Sequence, residues 1–229
     1  MIPARGGSKG IPRKNLVSLA GRPLIAHSIR HAQESKLINR TLVSTEDEEI
    51  AEVAKRFGAE VPFMRPKELA EDKTLDLPVF EHLLQELETR EAYVPDLVVH
   101  LRPTAPYRKA GWLDTSIELL KNNLVADSVR SVSKVNQHPY RMFKIGADGF
   151  LDAIMKHEHP VPYLLRRQDL PDTFYYNCVI DVTRPKTILI QKSMTGSKML
   201  PMVLESEEVF DIDSKMDLEW AEFFLKGKL

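Results

Sequence analysis

The sequence predicts an α/β protein built as three layers, with a mostly parallel, twisted sheet between helices. Three observations carry this. Strand-like and amphipathic helix-like segments alternate along the chain. Residues 97–101 form a nearly continuous apolar run, as a strand covered on both faces requires. A glycine loop at residues 6–10 follows directly on the short apolar run 1–4, at the place where open sheets seat their ligands. That run predicts a very short first strand. Residues 22–33 set Leu24, Ile25, Ile29 and Ala32 on one helical face, with Pro23 near the start. Residues 41–44 read as a strand. Thr45 and Glu48 have the spacing of a capping box for a helix running to about Phe57, with Gly58 as its stop. Residues 112–120 read as amphipathic helix and 128–135 as a strand. Strands follow at 178–182 and 199–204, and a closing helix at 218–225.

The chain has 229 residues, 43% of them hydrophobic. That is enough for one domain spanning 1–229 with a full core. Residues 136–175 break the rhythm. They are rich in Pro, His, Arg and aromatic residues and read as an insertion carrying substrate or subunit contacts. Lys and Arg total 32 against 33 Asp and Glu, a formal net charge of −1. This gives no electrostatic basis for binding a long nucleic acid, while leaving room for a local basic pocket. The single cysteine, Cys178, excludes an internal disulfide and fits a reducing cytoplasm. No apolar run approaches the ~18 residues of a membrane span, and no apolar leader is expected at the N-terminus.

The motif that carries chemistry is Ile2-Pro3-Ala4-Arg5-Gly6-Gly7-Ser8-Lys9-Gly10-Ile11-Pro12-Arg13-Lys14-Asn15. Its glycines allow tight turning and close ligand approach. Its amides, with the Ser8 hydroxyl, can form a concave nest for phosphate oxygens. Arg5, Lys9, Arg13 and Lys14 add the positive charge that a triphosphate and a departing pyrophosphate need. The spacing is neither that of a Walker A loop nor Gly-x-Gly-x-x-Gly. A solvated basic turn is the plainer alternative for the same residues. His27 and His31 lie four apart on a helix without any zinc motif. His157 and His159 read as loop residues.

This stretch resembles the signature of the acylneuraminate cytidylyltransferases, the CMP-sialic acid synthetase family, and the likeness continues in order along the chain. It includes Ser44-Thr45-Glu46-Asp47, Arg65-Pro66 with Leu69-Ala70, and Thr74-Leu75-Asp76. It goes on through Leu101-Arg102-Pro103-Thr104-Ala105-Pro106-Tyr107-Arg108, Arg167-Gln168-Asp169-Leu170-Pro171 and Tyr176-Asn177. It closes with Phe210-Asp211-Ile212-Asp213 and Asp217-Leu218. The resemblance implies a Rossmann-like fold of the nucleotide-diphospho-sugar transferase type. It implies transfer of CMP from CTP to the anomeric hydroxyl of a nonulosonic acid, with release of pyrophosphate, a divalent cation (Mg²⁺) and a homodimer.

It also implies roles. Ala4, Arg5, Gly6, Gly7, Ser8, Lys14, Asn15, Arg65 and Thr74 would bind the nucleotide. Arg102, Pro103, Thr104, Arg167, Gln168, Tyr176 and Asn177 would bind the sugar, with Arg167 or Arg102 on its carboxylate. Arg5, Lys14 and Asp211 would act in the reaction. Asp211 and Asp213, two residues apart, would turn their carboxylates to one side of an extended segment and hold the metal, with Ile212 turned into the core. Asp217 reads as an N-terminal helix residue. Arg102 stands where some members have glutamine, and Cys178 where glycine is common after the asparagine. Cys178 is expected to be a small buried residue, not a nucleophile. N-acetylneuraminic acid or a relative is the expected acceptor and CTP the expected donor; the alternatives are legionaminic, pseudaminic or deaminated neuraminic acid as acceptor and GTP as donor. A non-catalytic nucleotide-sugar binding module is the alternative of another class.

Overall fold

The computed structural model describes residues 1–226. In chain order the elements are β1 (Ile2–Pro3), β2 (Ser18–Leu19), β3 (Arg22–Pro23), α1 (Leu24–Glu34), β4 (Val43–Ser44) and α2 (Glu48–Arg56). Next come α3 (Asp76–Glu91), β5 (Val98–His100), α4 (Trp112–Lys121), β6 (Ser128–Lys134), β7 (Phe143–Ile145) and β8 (Leu151–Ala153). The chain closes with β9 (Phe174–Thr183), α5 (Pro185–Leu189), β10 (Met199–Val203) and α6 (Lys215–Lys226). β1 pairs parallel with β4. β5 and β6 both pair antiparallel with β9, and β10 pairs parallel with β6. The Met1 amino group donates to Val99 O (2.7 Å) and Leu101 N donates to Met1 O (3.0 Å), joining the two pieces in the order β4-β1-β5-β9-β6-β10. Only β9 runs against the rest. The carboxyl ends of the other five strands and the start of β9 therefore lie on one edge.

The three layers follow from period-2 alternation along these strands. Ile2, Val43 and Val99 share one core with Ile25 and Ile29 of α1, Ile50 and Ala54 of α2, and Leu113 and Ile117 of α4. Their chain neighbours Met1, Leu42 and Val98 face the other way, against Phe80, Leu83 and Leu87 of α3 and Ile188 of α5. A smaller core joins Ile11, Leu19 and Leu24 to Ile212, Ala221 and Leu225, tying α6 to the glycine loop.

The expected helices and strands are present with shifted ends. The first strand is indeed two residues long. The capping box at Thr45 is not formed. The helix starts at Glu48, and Asp47 is its N-cap, accepting from Ile50 N (3.0 Å), while the Thr45 hydroxyl accepts from Asp47 N. Aspartate caps as well as threonine does, and it stands one residue before the helix. The 16-residue α3, the longest helix, has no counterpart in the sequence reading. Its start lies in the Thr74-Leu75-Asp76 block, which was read for ligand contacts.

Two local features shape the working edge. Between Arg130 and Val132 the β6–β9 register slips, so that Val132 faces Tyr176. The extra residues of β9 form a bulge with Cys178 at φ 61. Buried Asn177 braces it, accepting from Ser131 Oγ and Val179 N and donating to Ser133 Oγ. The Cys178 backbone sits in the left-handed region that glycine adopts without strain, which accounts physically for a glycine preference there.

The second feature is Arg108, 3% exposed. Its guanidinium donates to the carbonyls of Val179, Ala105 and Arg102 and to Ser28 Oγ. It thus ties the bulge, the loop after β5 and α1 together. Replacing it strands buried carbonyls, each costing about 1–3 kcal/mol. Arg108→Met is expected to lower unfolding free energy by about 3–5 kcal/mol in chemical denaturation; a loss below about 1 kcal/mol contradicts this role.

Candidate active site

The glycine loop leaves β1 at the carboxyl edge and is packed on two sides. A Cβ on Gly6 would stand 2.5 Å from Asp47 Oδ2, and one on Gly10 would stand 2.3 Å from the Asp213 carbonyl oxygen. At Gly10 the neighbour is backbone, so glycine is required there, whereas a side chain at Gly6 would displace the Asp47 carboxylate; Gly10 brings the loop against the segment carrying Asp211 and Asp213. Gly6 N donates to Glu46 Oε1 (2.7 Å), and Arg65, itself buried, donates to Glu46 Oε2 (2.7 Å). Asn15 Nδ2 donates to Arg5 O (2.9 Å), closing the loop on itself. Ala4 is buried in the β1–β4 ladder, its N–H on Ser44 O.

The four loop cations divide into two kinds. Arg13 is bound to Asp47 and Glu49, and its charge, with a hydrogen bond, holds the Asp47 carboxyl below the usual range. It braces the N-terminus of α2. Lys14 is mostly buried, its Nζ on Ile212 O (2.8 Å) and Asp213 Oδ1 (3.0 Å). Arg5 and Lys9 share Asp72 at 3.0 and 2.6 Å, both in solvent reach. Exposed ion pairs of this sort contribute about 0–1 kcal/mol, so an incoming polyanion can displace Asp72. Gly7 has open space around it, and Ser8 is half-exposed beside it.

Opposite stands the loop after β5. Pro103 is buried, and Thr104 O accepts from Ile212 N (2.8 Å), which fixes the extended segment 210–213. Ile212 is fully buried and both Asp211 and Asp213 are exposed, as expected of residues i and i+2. Asp217 is a capping residue. Its carboxylate accepts from Asp213 N, Ser214 N and Ser214 Oγ, while its own N–H donates to Ser214 Oγ. Thr74 lies just before α3, its hydroxyl on Glu68 O (3.3 Å).

Arg102 does not hang free for a carboxylate. Its Nη1 donates to Asp181 Oδ2 (2.7 Å) and its Nη2 to Asp76 Oδ2 (3.0 Å). The same Asp181 oxygen takes Arg130 Nη1 (2.7 Å) and the Tyr176 hydroxyl. His100 sits beside it, with Nδ1 3.8 Å away. Burial opposes the charge on Arg102, but Asp181 outweighs it and holds the guanidinium above its ordinary pKa. Burial, with the Asp181 charge, pushes the Tyr176 hydroxyl up, and burial pushes His100 far down, so both are neutral. Burial also raises the Cys178 thiol, keeping it protonated.

The structure therefore assembles Arg5, Gly6, Lys14, Asn15, Arg65, Arg102, Thr104, Tyr176, Asp211 and Asp213 along one edge. Asn177 is a brace of the bulge. Arg167 and Gln168 lie exposed in a turn of the insertion, with Arg167 Nη2 on Val135 O (3.0 Å). No hydrogen bond or ion pair among the described residues ties either to the glycine loop. Sequence reasoning missed Asp181, Arg130, His100 and Asp76. The available signal was one charged or imidazole side chain inside each of three strand runs otherwise composed for burial. Among the described residues no three His, Cys, Asp or Glu side chains group as a self-sufficient metal site.

An open α/β sheet with a cation-lined glycine loop at its carboxyl edge defines a phosphate-handling site of the nucleotidyltransferase kind. The cytidylyltransferase family model matches residues 1–226, and the chain belongs to that family. Over 96% of its length it is 34% identical to a CMP-N,N'-diacetyllegionaminic acid synthase of Legionella pneumophila, covering 92% of that protein. It is 31% identical over 95% of its length to an N-acylneuraminate cytidylyltransferase of Streptococcus agalactiae, covering 50% of that longer protein. Among solved structures, CMP:2-keto-3-deoxy-manno-octonic acid synthetase complexed with CTP superposes with a TM-score of 0.73 at 16% identity. It covers 100% of this chain and 98% of that one, and establishes the fold alone.

The capping role of Asp217 has a pH signature. The Ser214 hydroxyl and the amides of Ser214 and Asp213 hold its carboxyl below the ordinary range. Its stabilisation is therefore full above the unfolded carboxyl pKa of about 3.9 and is lost as pH falls through the lower folded value. Asp217→Asn is expected to lower stability at pH 7 by about 1 kcal/mol, with the deficit in melting temperature shrinking in acid. An equal deficit at both pH values contradicts this.

Proposed function

We propose that the protein transfers CMP from CTP to the anomeric hydroxyl of a nonulosonic acid and releases pyrophosphate. The observation that carries this is the glycine loop packed between Asp47 and the Asp213 backbone, with the Arg5 and Lys9 side chains paired, among the described residues, with solvent-exposed Asp72. A triphosphate takes Asp72's place on these cations, its oxygens on the loop amides and the Ser8 hydroxyl. The acceptor hydroxyl attacks the α-phosphorus, and the bond to the β-phosphate oxygen breaks. In such transfers the protein chiefly positions the groups and neutralises charge. Arg5 and Lys14 meet the charge growing on the pyrophosphate. Glu46 orders Gly6 and Arg65 beside the nucleotide, with Thr74 near its ribose or base. Arg167, with Gln168, meets the sugar carboxylate once the nucleotide is seated.

The carboxylates of Asp211 and Asp213 suit Mg²⁺. They are hard oxygen donors on one side of a rigid segment, and two protein ligands leave sites for phosphate and water. When bound, the ion neutralises phosphate charge during the transfer. The exposed apolar side chains of β7 and β8, among them Ile145 and Leu151, with Leu164, support a homodimer formed through residues 136–175. No described helix is long and apolar enough to cross a membrane, and a cytoplasmic location agrees with the free thiol of Cys178.

The assay is pyrophosphate release from CTP and Mg²⁺ with N-acetylneuraminic, N,N'-diacetyllegionaminic, pseudaminic and deaminated neuraminic acids, with GTP as competing donor. Activity is expected with CTP and at least one acid. Arg5→Ala should lower turnover on the order of a hundredfold, and Arg167→Lys should raise KM for the sugar while sparing CTP. Unchanged kinetics in Arg5→Ala, or no release with any acid, overturns the reading. Asp211→Asn and Asp213→Asn, made separately, should each shift the Mg²⁺ requirement upward with little change in melting temperature; wild-type Mg²⁺ dependence in both removes them as ligands. Light scattering at micromolar concentration should give twice the 26.2 kDa chain mass, and a monomer mass contradicts the dimer.

A further inference from the structure

We propose that Arg102 and Asp76 form a donor–acceptor pair that reads an uncharged acylamido group of the sugar, with Asp181 as the positioning residue that holds the pair in place. The inference rests on the acceptor class proposed above.

Three central strands each place one polar side chain at the same level of the sheet. His100 of β5 and Arg130 of β6 are both cross-strand partners of Asp181 in β9. All three are buried on the α3 face, where Phe80 packs on the His100 ring at 4.6 Å between centroids. Asp181 is wholly buried, and a single oxygen of it takes Arg102, Arg130 and Tyr176. Both guanidinium Nη1 atoms lie 2.7 Å from that oxygen, so it is what holds two like charges side by side. Of the two side chains, Arg130 is 7% exposed and Arg102 is 21% exposed. Only Arg102 has a way out if Asp181 loses its charge.

Charge balance decides what Arg102 can recognise. Arg102 and Arg130 are matched by Asp181 and Asp76, with His100 neutral, while the nearby Arg108 keeps its charge on carbonyls behind the Arg102 backbone. An approaching sugar carboxylate would find the Arg102 guanidinium already paired with two aspartates. It would also meet the Asp76 carboxylate, 42% exposed at the first residue of α3. A sugar carboxylate is therefore ill served at this place, which is a physical reason to assign it elsewhere. Hydrogen-bonding capacity does remain. Arg102 has five N–H donors and spends three, on Asp181, Asp76 and Cys178 O. Asp76 uses Oδ2 for Arg102, and its Oδ1 takes no hydrogen bond among the described residues. A donor and an acceptor side by side, on charges already compensated, match the C=O and N–H of a secondary amide. The half-exposed ring of Tyr176, 5.8 Å beneath the Arg102 guanidinium, supplies an apolar surface for a short acyl chain.

The test compares an N-acylated nonulosonic acid with its deaminated analogue, in which hydroxyl replaces the acylamido group, by pyrophosphate release in wild type, Asp76→Asn, Arg102→Lys and Asp181→Asn. Wild type should prefer the acylated acid. Asp76→Asn, at a half-exposed position that leaves the Asp181 cluster whole, should raise KM for the acylated acid on the order of tenfold, the loss of one charge-assisted hydrogen bond. KM for the deaminated acid, whose hydroxyl can replace only the N–H and brings no carbonyl for Arg102, should rise less, and KM for CTP should stay within about twofold. Arg102→Lys keeps the charge but loses the planar fork, and should likewise reduce the preference. Asp181→Asn should reproduce these shifts by releasing Arg102; calorimetric titration with CTP confirms that the variant is folded. Equal KM increases for both acids in Asp76→Asn and Arg102→Lys would overturn the proposal and return Arg102 to the carboxylate. A wild type that releases no pyrophosphate with any acid would instead overturn the function, and the pair assignment with it.

Discussion

The geometry of the site depends on the buried guanidinium of Arg108. It occupies three carbonyls from two chain segments, Arg102 and Ala105 in the loop after β5 and Val179 in the bulge of β9, and reaches Ser28 of α1. A single rigid fork can do this where a flexible ammonium could not. Once that loop is held, Thr104 O receives Ile212 N, and the segment bearing Asp211 and Asp213 is set against it. Lys14 then reaches the Ile212 carbonyl, and Gly10 closes on the Asp213 backbone. Segments some two hundred residues apart in sequence thus meet at one edge through backbone acceptors, leaving the acidic side chains of 211 and 213 turned outward.

The charges follow a second logic. The chain is nearly neutral overall, and each glycine-loop cation has an acidic partner, so the basic motif makes no basic surface. What differs is how firmly each partner is held. Asp47 is fixed as a helix cap and keeps Arg13 as a brace. Asp72 is in solvent and holds Arg5 and Lys9 weakly. A site built this way exchanges an internal anion for a phosphate one, and does not leave a strong positive patch exposed.

The fold class was legible because alternation and the apolar run at 97–101 report burial on two faces. The glycine loop was legible because its residues are contiguous. Asp211 and Asp213 could be placed on one side because i and i+2 in an extended segment share a face. The Thr45 box failed because Asp47, also a capping residue type, is the one that stands at the helix start, and that is decided by backbone geometry the sequence does not display. α3 was legible but unread: Val79, Phe80, Leu83, Leu84 and Leu87 recur at helical spacing, and only Asp76 of the Thr74-Leu75-Asp76 block belongs to the helix. The buried cluster around Asp181 was hidden for a deeper reason. His100, Arg130 and Asp181 are far apart in sequence, and only strand register makes them neighbours. The pairing of Arg102 with Asp181 was hidden in the same way, and its pairing with Asp76 depends on how the start of α3 packs beside the loop after β5.

The central proposal is that the glycine loop seats the triphosphate, and a crystal structure grown with CTP tests that most directly. It should show triphosphate oxygens on the amides of residues 6–10, and the Arg5 guanidinium moved from Asp72 to a phosphate oxygen. A nucleotide bound elsewhere, with the Arg5–Asp72 pair intact, would contradict the account.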